Sequence, residues 1–435
     1  MCHAYGEGER GKGRGLKAFD VVIPFEGMSV IAELISERLP LHRLWLERDP
    51  EAWFAEWSPR IRAIATTGHQ VPIDAALMGR FPKLEIVASF GVGYDHVDTK
   101  WASERGIVVT NTPGVLDDEV ADTAMGLTIM TVRRLPQAER FLRSGQWPTG
   151  NFPLTASLRG RTVGIVGLGR IGGAIAKRLK GFGLEIVYHG RRQQPDAPYR
   201  FYASLIEMAK ACDILVVSAP AGPETRRMID AEILRALGAD GILINVSRGS
   251  LIDERALIDA LRSGTIHAAG LDVFENEPHV PPELVALDNV VLLPHVGSAS
   301  IRTRRAMAAR VAENLFAWSE DKPPLTPVPE APWRGSWGQR VAKGDERREI
   351  VGDKTKLITA IVGVMKESWD LPADCNEGEL FTYAEMLFDR IEAGDGKDAL
   401  HAFLSEVQVE NLEMPPSEAY RGIVDRSVDL VRKTA

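Results

Sequence analysis

The chain has 435 residues, 45% of them hydrophobic, with 52 Lys and Arg against 60 Asp and Glu, a formal net charge of −8. That length suits about two to four domains with sizeable cores. The acidic balance, with no long basic block, excludes nucleic acid and an anionic membrane as the main partner, and three cysteines without a C-x-x-C exclude a disulfide framework or zinc knuckle and suit a reducing, cytoplasmic compartment.

Residues 1–17 are Gly-rich and basic, lack the apolar stretch of a signal peptide, and read as a loose, disordered tail. No apolar run approaches the roughly 18 residues of a membrane span. Strand-like runs at 19–23, 61–65, 85–89 and 107–110 alternate with helix-length segments at 28–38, 50–57 and 73–80. Such alternation predicts a parallel sheet covered by helices. A long helix is expected over 117–134. Asp117, Asp118 and Glu119 suit its positive end, and Arg133 and Arg134 its negative end.

Next comes a G-x-G-x-x-G run, Gly167, Gly169 and Gly172, between a strand-like stretch at 161–166 and a helix-like one at 171–182. That context makes it a dinucleotide fingerprint. Gly167 permits the tight turn, Gly169 lets the backbone approach a pyrophosphate, and Gly172 lets helix pack on strand. Arg170 and Ile171 open the helix whose N–H groups receive the phosphates. Further strands at 184–188, 214–218, 241–245, 268–271 and 290–293 complete a doubly wound pattern. An NAD site places a carboxylate at the tip of the second of these strands. Here the tip reads Tyr188-His189-Gly190-Arg191-Arg192. Two arginines would meet a 2′-phosphate, so NADP(H) is expected, with NAD(H) as the alternative.

A helix at 301–318 is followed by a Pro-, Gly- and charge-rich linker at 326–352. Amphipathic segments at 354–369, 377–392, 397–407 and 417–433 predict a small helical domain over 353–435. Asn376 and Ser417 are candidate N-caps and Gly394 a candidate stop.

Three segments fall where strands of the second half end, and they carry Arg248, Asp272 with Glu277, and His295. Ligands of open α/β sheets bind at that edge. Reducing a keto group creates an alkoxide that needs a proton from a group titrating near neutrality, a role for His295. Glu277 can hold the other ring nitrogen. Arg248 offers a planar fork for a carboxylate. No metal site is expected.

These residues, with the blocks 91–98, 110–115, 119–122 and 223–226, resemble the D-isomer-specific 2-hydroxyacid dehydrogenases over about 19–328. The tip Gly190-Arg191-Arg192 and the loop 144–147 resemble the glyoxylate/hydroxypyruvate reductase branch. The resemblance implies a Rossmann coenzyme domain (116–294) inserted in a flavodoxin-like substrate domain (18–115 and 295–325). It implies catalysis by Arg248, Glu277 and His295, carboxylate binding by Val92 and Gly93, Asp272 near the nicotinamide carboxamide, and Thr225 at the cofactor. It further implies a homodimer in which Trp147 shapes the neighbouring subunit's pocket for a small 2-keto acid. A 3-phosphoglycerate dehydrogenase and a nucleotide-sensing binding protein are the alternatives.

Overall fold

The computed structural model describes residues 20–66, 68, 71–333, 360–368, 383, 384, 387, 388, 390, 391, 396–407 and 419–432. The chain divides into two compact units, Met1–Gly335 and Ser336–Ala435.

The first sheet of the larger unit comprises β1 (Asp20–Ile23), β2 (Leu41–Arg43), β3 (Ile61–Ala65), β4 (Ile86–Ala88) and β5 (Val108–Thr110). The strands are parallel, in the order β2-β1-β3-β4-β5, which is the flavodoxin-like winding. Every residue of β1, β4 and β5 is buried. Parallel sheets are covered on both faces, so their strands read as continuous apolar runs.

The second sheet comprises β6 (Thr162–Val166), β7 (Glu185–His189), β8 (Arg200–Tyr202), β9 (Ile214–Val217), β10 (Ile242–Asn245), β11 (Ala268–Leu271) and β12 (Val290–Leu292). Its order is β12-β11-β10-β9-β6-β7-β8, all parallel. The order reverses between β6 and β9, the switch point at which Rossmann folds bind dinucleotides.

The chain passes between the two sheets twice. It enters the second at the helix Asp117–Val132, which packs on β10, β11 and β12. It returns after β12 into the helix Ile301–Ser319, which packs on the helix Ser29–Ser36 and on β4. The crossings are laced together. Thr123 Oγ1 donates to Gly297 O (3.2 Å) and Thr303 Oγ1 to Glu119 Oε2 (2.9 Å).

Several elements differ from the sequence expectation. Strands β2 and β8 have no apolar run to announce them; each is a three-residue sheet edge with polar residues, as edges usually are. The helix expected over 117–134 stops at Val132, Arg134 turns left-handed (φ 50°), and a second helix runs Leu135–Arg143. Pro136 lies in its first turn, where no backbone N–H is needed. Residues 326–331, at the start of the expected linker, are anchored on β5. Val328 N donates to Val109 O (2.8 Å), Val109 N to Ala331 O (3.2 Å), and Thr326 Oγ1 to Asn111 O (2.6 Å). Proline, which cannot donate to a ladder, is tolerated at a sheet edge, so composition alone does not separate such a strap from a free linker.

In the smaller unit, the described residues at 360–368, Lys397–Glu406 and Ala419–Arg432 are helical and share a core that includes Ile361, Met365, Leu404 and Ile423. Residues 1–17, Asn376, Gly394 and Ser417 lie outside the described residues. Among the described residues, no helix is long and apolar enough to cross a membrane.

Candidate active site

The glycine turn leaves β6 with Gly167 at φ 91°, its N–H donating to His189 O (2.8 Å). A Cβ on Gly167 would press on Ala219 Cα (2.8 Å), and one on Gly172 would overlap the Gly167 carbonyl oxygen. A Cβ on Gly169 would meet nothing. Gly169 caps the helix Arg170–Gly181, and no side chain satisfies its first N–H groups. Open space in front of unsatisfied N–H groups at a helix start is what a phosphate requires. Ile171 lies in that first turn, whereas the Arg170 guanidinium is engaged by Asp117 (2.8 Å) at the first crossing.

Arg191 and Arg192 are exposed just beyond β7, and neither forms an ion pair among the described residues. Gln194, which the sequence did not single out, ties their loop to the glycine turn. Its Nε2 donates to Leu168 O (2.6 Å), and its backbone N–H to Tyr188 Oη (2.8 Å). Thr225 folds its own loop by donating to Pro220 O (2.9 Å).

Asn245, fully buried at the end of β10, shapes the turn that launches Arg248. It donates to Arg248 O (2.9 Å) and accepts from Ser247 N (3.0 Å). The Arg248 guanidinium reaches across to the loop after β4. Nε donates to Asp95 Oδ1 (2.9 Å), and Nη2 lies so close to Gly93 that a Cβ there would overlap it. Asn111 Nδ2 donates to Val92 O (2.9 Å) and fixes that loop. Asp95 was not anticipated. Burial pushes its carboxyl up, but the Arg248 charge and hydrogen bonds outweigh this and hold it below the usual carboxylate range.

His295 also has a left-handed backbone (φ 53°) and donates its N–H to Asp272 O (2.9 Å). The two carboxylate oxygens of Asp272 accept from Val296 N and Gly297 N, each at 2.8 Å. Asp272 is 1% exposed, and burial raises its pKa. Its visible task is therefore to hold the histidine loop, whatever it offers a cofactor. His295 Nδ1 lies 2.8 Å from Glu277 Oε2, and Glu277 Oε1 accepts from Phe274 N (3.1 Å). The structure thus brings Arg248, Glu277 and His295 to one edge of the sheet. Trp147 is not brought there; it is 61% exposed in the short turn Trp147–Thr149. A cavity of about 270 Å³ opens beside His295, with Thr66, Ile73 and Arg304 on its walls. Among the described residues, no group of three His, Cys, Asp or Glu is placed to hold a metal ion.

A dinucleotide fold with an acid–imidazole pair and a guanidinium at its ligand edge defines a nicotinamide-dependent oxidoreductase. The family model "D-isomer specific 2-hydroxyacid dehydrogenase, NAD binding domain" matches residues 125–297. A glyoxylate/hydroxypyruvate reductase A of Arabidopsis thaliana is 46% identical over 300 residues, 69% of this chain and 96% of its own length. A hydroxyphenylpyruvate reductase of Plectranthus scutellarioides is 44% identical over 313 residues, 72% of this chain and 100% of the relative. The crystal structure of an NADPH-dependent glyoxylate/hydroxypyruvate reductase from Sinorhizobium meliloti, in complex with NADP and malonate, superposes with a TM-score of 0.69 at 47% identity, covering 73% of this chain and 99% of that one. The chain belongs to the D-isomer-specific 2-hydroxyacid dehydrogenases.

Proposed function

We propose that this protein reduces a small 2-keto acid, glyoxylate or hydroxypyruvate, to the 2-hydroxy acid, with NADPH as hydride source. The observation that carries the reading is the Glu277–His295 pair at 2.8 Å on the same sheet edge as Arg248. When bound, the reduced nicotinamide supplies the hydride. The turn of Gly167, Gly169 and Gly172, with Ile171 and the Thr225 loop, cradles the dinucleotide. Asp272 stands by the nicotinamide carboxamide, and Arg191 and Arg192 take the 2′-phosphate. Arg170, engaged by Asp117, acts through the shape of the turn.

Arg248 and the backbone of Val92 and Gly93 hold the substrate carboxylate. Nδ1 of His295 is committed to Glu277, so proton delivery to the nascent alkoxide falls to Nε2. The Glu277 carboxylate stabilises the imidazolium and fixes the ring plane. The first sheet, with residues 18–115 and 295–325, serves as the substrate domain, and 116–294 as the coenzyme domain. The exposed Trp147 and its neighbours Leu142 (54% exposed) and Leu154 suit burial in a homodimer, and a reducing cytoplasm suits the cofactor. The reductase names of the relatives, together with the assembled Arg–Glu–His set, favour turnover over 3-phosphoglycerate oxidation or nucleotide sensing.

Steady-state assays with both cofactors test the reading. Glyoxylate turnover is expected with NADPH at higher kcat/KM than with NADH. His295→Ala is expected to lower kcat about 10²- to 10⁴-fold, the usual contribution of a general acid. Equal use of NADH would overturn the cofactor assignment, and an active His295→Ala variant the mechanism.

A further inference from the structure

Arg304 is a cation that this mechanism leaves unused. It lies in the first turn of the helix Ile301–Ser319, just after the cap in which Thr303 N donates to Ser300 Oγ (3.1 Å). A helix start disfavours positive charge, and no acidic residue stands in that turn. The guanidinium is partly buried, which lowers its pKa, with the Asp272 charge opposing. It stacks over the Phe90 ring, 5.5 Å from the centroid, and makes no hydrogen bond or ion pair to any described residue. A cation kept where both burial and the helix field oppose it, with no side-chain acceptor among the described residues, is well placed to take one from a bound ligand.

The cavity gives that acceptor a place. Its walls include Phe25, Glu26, Thr66, Ile73, His295 and Arg304, and its volume of about 270 Å³ leaves room for the substituent of a small acid. Arg248 and Gly93 take the carboxylate of a 2-keto acid, and His295 takes the oxygen on carbon 2. The remaining substituent of carbon 2 then enters the cavity that His295 shares with Arg304. Glyoxylate has only a hydrogen there. We propose that Arg304 hydrogen-bonds an oxygen on carbon 3, making 3-oxygenated 2-keto acids such as hydroxypyruvate the preferred substrates over glyoxylate.

The assignment rests on the reductase reading, and one set of assays separates the two. kcat/KM is measured with NADPH for glyoxylate, pyruvate and hydroxypyruvate, in the wild type, Arg304→Gln and Arg304→Lys. The hydroxypyruvate-to-glyoxylate ratio is expected to fall at least about tenfold in Arg304→Gln, because a site built to hydrogen-bond a hydroxyl discriminates through that bond. Lys keeps the charge without the planar fork, so Arg304→Lys should fall between the two and keeps the test valid if the Gln variant does not fold. The pyruvate-to-glyoxylate ratio should move less than the hydroxypyruvate ratio. A hydroxypyruvate ratio within about twofold of wild type in both variants would overturn the assignment and leave the reductase reading standing. A wild type that reduces none of the three acids would overturn both.

Discussion

At His295 the backbone and the side chain are fixed by different acids, Asp272 through the loop and Glu277 through the ring. A left-handed non-glycine residue is strained by about 1–3 kcal/mol and persists only where its surroundings over-determine it; three hydrogen bonds to Asp272 supply that constraint. The histidine, its glutamate and the arginine were legible in the sequence because each follows a strand of a recognisable winding. Asp95 and Arg304 were not. Asp95 meets Arg248 across 153 positions of sequence, and Arg304 is one of several arginines in its helix with no spacing that sets it apart. The buried Cys212 allows a prediction of opposite character. Burial pushes its thiol up to about 12, against about 8.5 in an unfolded chain. The folded protein keeps a proton that the unfolded chain releases, so this contribution to stability is complete below about pH 8.5 and is lost as pH rises through 12. With Cys2→Ser and Cys375→Ser leaving Cys212 as the sole thiol, a thiol reagent at pH 8 should react with the unfolded protein and leave the native one unlabelled over the same period. Rapid native labelling would contradict the buried position.

Among the elements, the β6–turn–helix unit shows how finely glycines differ. A methyl at Gly172 would strike the Gly167 carbonyl, whereas at Gly173, one residue on, it would meet nothing within 4 Å. Gly172→Ala is expected to cost about 1–3 kcal/mol or more, as overpacking does, and to weaken NADPH binding by displacing the turn. Gly173→Ala is expected to be neutral or stabilising by up to about 1 kcal/mol, as alanine replaces glycine inside a helix. Thermal unfolding with and without NADPH reads both; equal losses in the two variants would refute the packing argument. Central strands were legible because burial on both faces writes them as apolar runs. The edges β2 and β8, the break at Arg134 and the strap at 326–331 were not, since edge pairing, a left-handed turn and docking on β5 leave no periodic mark.

For the molecule as a whole, the residues assigned to chemistry all lie in the unit that ends at Gly335, and relatives that this chain covers over 96% or 100% of their length align with only 69% and 72% of it. A chain ended at Gly335 is therefore expected to fold and to keep kcat/KM within about threefold, as a domain with its own core does. Loss of activity with retained folding would assign the C-terminal unit a part in turnover. Nothing in the helical pattern of that unit pointed to chemistry, so its role was not legible, whereas the insertion of one winding in the other was. The insertion leaves two laced backbone crossings between the sheets, and His295 lies on the second, between β12 and the helix Ile301–Ser319. Were the two sheets to rotate about these crossings, His295 would sit at the pivot and travel least. Arg248 and its contact at Gly93 and Asp95, which join the two sheets away from the crossings, would move apart. In such a motion the imidazole would keep its place, while the contact between Arg248 and the loop after β4 would have to be made afresh each time.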